Sequence, residues 1–225
     1  MARGKIERRG SRPRRTKPVI LIITEGEKSE PKYFAHFRTR QNNIEVRVVP
    51  NSRNGSKTDY ASLIRKAVKI CKDDGLSPSI GDSVWIVADA DVNYQAADAV
   101  NKKNAALSEA RKKAGKESFE LILSNPCFEL WYLLHLRYTT AHLPDYDAVR
   151  RALKHAGITN YEKHNDLYEQ LVSHTSKAID RSKCLESFHT DNGSTLPLGI
   201  DANPFTEVYK LVEKLVTTEE RHNHR

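Results

Sequence analysis

The chain has 225 residues, room for one large domain or one domain with an appendage. Its 37 Lys and Arg exceed its 29 Asp and Glu by eight, and an apolar content of 38% is enough to build a core, which excludes a fully disordered chain. No apolar run approaches the roughly 18 residues of a membrane-spanning helix. The three cysteines, Cys71, Cys127 and Cys184, are widely spaced and lack a CxxC pair, arguing against a disulfide framework or a zinc knuckle. A soluble protein of a reducing, cytoplasmic compartment is expected, with no membrane partner.

The positive charge is concentrated at the start. Residues 1–17 hold eight basic side chains against one acid, a net +7, which leaves +1 for the remainder. Gly4, Gly10 and Pro13 interrupt this segment and apolar residues are almost missing from it, so it reads as a disordered basic tail rather than a signal peptide. Arg8, Arg9, Arg12, Arg14, Arg15 and Lys17 are candidates for contacts to a nucleic-acid backbone, an attraction that is independent of sequence and sensitive to salt.

From Val19 to Ile23 an uninterrupted β-branched and leucine run predicts a strand buried on both faces of a parallel sheet. Ser29, Glu30 and Pro31 then open a helix reaching about Phe37, and Ile44–Val49 reads as a second strand. Leu63, Ile64, Ala67, Ile70 and Cys71 form one apolar face of a helix over Lys57–Asp73, which makes Cys71 a core residue. Val84–Ala88 is a third strand, Ala96–Ala114 a third helix and Phe119–Leu123 a fourth strand. Pro126–Leu136 is a helix apolar all round, expected against the sheet, with Asn125 as its N-cap. The alternation predicts an α/β fold with a parallel sheet of about four strands flanked by helices. Residues 138–185 show short helical patterns and Glu186–Asn203 reads as a loop. Pro204 opens a closing helix whose stripe is Phe205, Val208, Tyr209, Val212, Leu215 and Val216. The expected organisation is a tail over 1–17, a core over 18–137, and a helical appendage over 138–225 whose closing helix packs back on the core.

Ligands of open α/β sheets bind beyond the carboxyl ends of the strands. Here those positions are acidic: Glu25, Glu27 and Glu30 follow the first strand, Asp89 and Asp91 the third, and Glu129 the fourth. Clustered carboxylates raise one another's pKa unless a cation intervenes, and hard divalent cations take oxygen donors. Glu25, Asp89 and Asp91 are therefore the candidate catalytic and metal-binding group, with Glu30 and Glu129 as further metal candidates and Mg²⁺ or Mn²⁺ as the expected cofactor. Gly26 lets the backbone turn beside Glu25 and leaves room for a phosphate. Glu129 sits in an otherwise apolar helix and needs a partner there. Lys28, Lys57 and Lys102 or Lys103 are candidate phosphate contacts. Cys127 has no identifiable histidine partner and reads as a packed small residue. The nine histidines show no HxxxH or HExxH spacing, which argues against a zinc hydrolase.

A strand ending in Glu25-Gly26 and another ending in Asp89-Ala90-Asp91 resemble the Toprim arrangement. The chain is similar over nearly its full length to the RloB-like family within it. The matching segments run from Ile20 to Phe34, Val87 to Asp91, Ser124 to Trp131 and Asn203 to Tyr209. The resemblance implies a Toprim-like core, divalent-metal phosphodiester chemistry, a role in prokaryotic defence and work beside an AAA- or ABC-type ATPase. It assigns Glu25 as the Toprim glutamate, Asp89 and Asp91 as the metal-binding pair, and Glu30 as the extra acid of the following helix. The expected activity is a metal-dependent nuclease acting on DNA or RNA, transfer RNA included, with a homo-oligomer left open. Two other readings stand beside it. One is a non-catalytic nucleic-acid-binding or regulatory subunit. The other is an aspartyl-phosphate phosphatase, since Asp89-Ala90-Asp91-Val92 also resembles the haloacid-dehalogenase motif.

Overall fold

The computed structural model describes residues 17–38, 44–51 and 59–223, with side chains described as far as residue 217. Arg8, Arg9, Arg12, Arg14, Arg15 and Lys57 lie outside the described residues, and Lys17, at their edge, is exposed.

Four parallel strands form the sheet: β1 (Val19–Thr24), β2 (Glu45–Pro50), β3 (Ser83–Asp89) and β4 (Glu120–Asn125). These are the parallel sheet of about four strands that the sequence predicts, and a short fifth strand, β5 (Phe205–Thr206), adds antiparallel to β4, giving the order β2-β1-β3-β4-β5. β1 is buried on both faces, as its unbroken apolar run requires. Ile20 and Ile22 enter one hydrophobic cluster, while Val19, Leu21 and Ile23 enter the other. The second cluster is closed by α2 (Tyr60–Asp74) and α3 (Ala99–Lys116). The first is closed by α1 (Ser29–Ala35), α4 (Glu129–Leu136), α5 (Tyr146–His155), α6 (Tyr168–Leu171), α7 (Thr175–Asp191) and α8 (Val208–Asn223). Trp131, Leu130 and Leu133 of α4 are fully buried in that cluster, so this helix forms its centre. Among the described residues, no helix is long and apolar enough to cross a membrane.

Several boundaries differ from the sequence pattern, each for a tertiary reason. Asn125 is not a helix cap. It ends β4, and its side-chain amide donates to the carbonyls of Ile200 (2.9 Å) and Ala202 (2.6 Å), so α4 begins only at Glu129. The Asn125-Pro126 and Asn203-Pro204 peptide bonds are cis. Pro204 does not open the last helix, because Phe205 and Thr206 pair with β4 first and α8 starts at Val208. Phe205 therefore packs on the opposite side of the sheet from Val208, Tyr209, Val212 and Leu215. The loop predicted from Glu186 begins later, since α7 continues to Asp191. Asp59 caps α2, accepting from the Ser62 amide at 2.5 Å, and Cys71 is only partly buried at the rim of the core.

Candidate active site

The sheet order reverses direction between β1 and β3, the place where open α/β sheets form a crevice at their carboxyl ends. Glu25 follows β1 and Asp89 closes β3, so both acids stand at that switch point. The Glu25 amide donates to the Val87 carbonyl at 3.0 Å. In the reverse direction the Asp89 amide donates to Glu25 Oε2 at 3.1 Å. Glu25 thus ties the two strand ends together and is itself buried.

The turn after β3 is fixed from β4. The Ala90 amide donates to the Ser124 carbonyl (2.8 Å), and the Asp91 amide to the Pro126 carbonyl (3.2 Å). Ala90 is fully buried, which gives a physical reason for the small residue between the two aspartates. Asp91 takes a left-handed φ of 41°, a conformation Asp tolerates better than most residues, and its side chain faces solvent.

The acids divide between two cavities. Asp89, Glu30 and Glu129 line one of about 220 Å³, with Lys28 and Lys163 on its walls. Glu25 and Asp91 line a larger one of about 420 Å³ together with Asp59, Tyr60 and Lys103. Tyr60 donates its hydroxyl to the Asp89 carbonyl at 3.2 Å, so the larger cavity shares a wall with the smaller. Lys103 lies 5.3 Å from the Tyr60 ring centre. Glu27 and Lys28 are both exposed.

Within the smaller cavity each carboxylate is held differently. Glu30 is 5% exposed and accepts from the Gly26 amide at 3.0 Å. Burial, reinforced by the charge of Glu129, pushes its pKa up from 4.5 to about 7. Gly26 is needed for a close approach: a Cβ there would stand 2.2 Å from Glu30 Oε2, so the room that the sequence offers to a phosphate is taken by this carboxylate. Glu129 is 1% exposed, and its Oε1 accepts from the hydroxyls of Ser29 (2.8 Å) and Tyr161 (2.9 Å), the partners its apolar helix demands. Asp89 Oδ1 is buried with no hydrogen-bond partner. Burial first, then the charges of Glu30, Glu25 and Glu129, raise the Asp89 pKa well above its ordinary value. Burial pulls the Lys163 ammonium down, but Glu129, Asp89 and Glu30 more than offset it and leave its pKa raised.

Sequence reasoning missed Ser29, Tyr161 and Lys163. Ser29 is distinguished only by preceding Glu30, and Tyr161 and Lys163 lie more than 30 residues beyond Glu129 in a segment without periodicity. Cys127 is buried, and burial raises its thiol pKa, in keeping with a packed residue.

Among the described residues, no three His, Cys, Asp or Glu side chains converge on one point where they would hold a metal ion. The donor chemistry nevertheless suits a hard divalent cation. The available atoms are carboxylate oxygens, and Asp89 Oδ1 is a buried acceptor without a donor.

The structure thus defines an α/β protein with an acidic crevice at the switch point of a largely parallel sheet. A family model described as RloB-like protein matches residues 20–215, and the chain belongs to that family. No curated protein and no solved structure matches it.

Proposed function

We propose that this chain is a divalent-metal-dependent nuclease that hydrolyses phosphodiester bonds of DNA or RNA at the crevice between β1 and β3. The observation that carries the reading is the group of Asp89, Glu30 and Glu129 around one cavity, with Asp89 Oδ1 buried and unpartnered. Such a group is costly to maintain for stability alone. Asp89, through its unpartnered Oδ1, would be the first ligand of Mg²⁺ or Mn²⁺, with Glu30 and Glu129 on the walls of the same cavity and Glu25 and Asp91 on the other side. When bound, the cation supplies Lewis-acid polarisation of the phosphoryl oxygen and a lowered pKa for the attacking water.

The remaining work falls to the chain itself. Glu25 holds the Asp89 backbone in place through its accepted hydrogen bond. Ser29 and Tyr161 fix the orientation of Glu129. Lys28 and Lys163, on the walls of the acid cavity, attract the phosphate that the acids alone would repel. The family resemblance extends the proposal to prokaryotic defence beside an AAA- or ABC-type ATPase.

The test is incubation of the full chain with labelled DNA and RNA, in Mg²⁺, Mn²⁺ or EDTA, with and without the ATPase. Metal-dependent product that disappears in Asp89→Ala, while binding in EDTA persists, supports the reading. Cleavage by Asp89→Ala at the parental rate overturns the site assignment, and no product in any condition favours a binding subunit.

A further inference from the structure

α5 turns Ala148, Val149 and Leu153 into the core and Arg150, Arg151 and Lys154 outward. These three cations line a groove of about 390 Å³, closed on its other side by the chain from Ile158 to Glu162. Arg150 is held only loosely, with its guanidinium 3.5 Å from Asp147 and both side chains more than half exposed. Among the described residues Arg151 and Lys154 have no ion-pair partner. The groove's one acid, Glu162, lies 3.3 Å from His164.

Tyr161 connects this groove to the acid cavity. The same residue lines the groove and donates its hydroxyl to Glu129 at 2.9 Å. Two residues on, Lys163 lines the acid cavity and lies 4.5 Å from the centre of the Tyr146 ring, at the start of α5. The cations thus continue from Arg150, Arg151 and Lys154 through Lys163 to Asp89, Glu30 and Glu129.

We propose that this groove is the track of the nucleic-acid backbone, holding the phosphates next to the one to be cleaved. The inference rests on the nuclease reading and adds a binding surface outside the acidic site. Its physical reason is charge complementarity. A crevice lined by carboxylates repels a polyanion, so the strand must be held by cations beside it, and phosphate contacts of this kind position a strand without reading its sequence.

The experiment uses the full chain in EDTA, where no turnover occurs. Binding of a fluorescent duplex DNA and a fluorescent RNA is followed by anisotropy across a salt series, for the parent and for Arg150→Ala/Arg151→Ala/Lys154→Ala. The triple variant should bind more weakly at every salt concentration, with the slope of log K against log salt reduced by about 2 to 3. The charge-conserving variant Arg150→Lys/Arg151→Lys should keep the parental slope. Unchanged affinity and slope on both nucleic acids overturn the proposal. So does loss of binding to a polyglutamate peptide with nucleic-acid binding intact, which would assign the groove to an acidic protein partner. A reduced slope in the triple variant, with a parent that never cleaves in Mg²⁺ or Mn²⁺, supports the track while overturning the nuclease reading.

Discussion

Glu30 offers a direct test of how the acid cavity trades stability for charge. Its carboxyl is 5% exposed, accepts from the Gly26 amide at 3.0 Å and titrates near 7 instead of 4.5. Between those two values the folded state holds a proton that the unfolded chain has released. Stability therefore falls as pH rises through this window, and the interval corresponds to about 3 kcal/mol. Glu30→Gln keeps an oxygen for the Gly26 amide and removes the charge. The amide oxygen is the weaker acceptor by about 1 kcal/mol, so the variant should be more stable than the parent by about 2 kcal/mol at pH 8 in EDTA. Below pH 4.5 the carboxyl is protonated in both states, and the two proteins should differ by no more than about 1 kcal/mol. Urea denaturation at a series of pH values measures the difference. A variant less stable than the parent at pH 8, or a difference independent of pH, would refute the assignment of Glu30 as a buried charge in a repulsive site. Under the nuclease reading, Mg²⁺ should raise the parent's midpoint at pH 8 more than that of Glu30→Gln, because a cation that binds only the folded state stabilises it.

Gly26→Ala should displace the Glu30 carboxylate and cost about 1–3 kcal/mol, whereas a Glu30→Ala background removes the three atoms nearest the added methyl and should lower that cost. A double-mutant cycle by thermal unfolding should give a coupling of at least about 1 kcal/mol, and strict additivity would contradict the close approach. His135 is 1% exposed; burial lowers its pKa from 6.5 to about 4, although its Nδ1 is 2.8 Å from the Trp131 carbonyl. Between these values the unfolded chain binds the extra proton, so stability should be lost as pH falls from 6.5 toward 4, by about 3 kcal/mol. His135→Gln should flatten that loss in denaturation midpoints, and an unaltered acid limb would show that His135 does not cause it.

The local pattern was enough to read the sheet's centre and the acids at its strand ends. β1 is a run that can only be satisfied by burial on both faces, and acids directly after β1 and β3 are marked by position alone. The α/β class, the parallel strands and the small buried Ala90 between Asp89 and Asp91 follow from the same logic. Contacts between segments far apart in the chain decided the rest. Asn125 leaves its capping pattern because the carbonyls of Ile200 and Ala202 lie within reach of its amide. Pro204 precedes a strand because the edge of β4 pairs with Phe205 and Thr206 before the helix forms. The acids separate into two cavities because Glu25 is occupied by the Asp89 amide, while Glu30 folds back onto Gly26. Tyr161 and Ser29 meet Glu129 across separations of 32 and 100 residues, and Lys163 joins it in one cavity from 34 residues away, which no periodicity encodes. Sequence alone determined which residues carry charge at the strand ends. Only the tertiary structure decided which of those charges share a cavity, because that depends on donors brought from elsewhere to satisfy each buried oxygen.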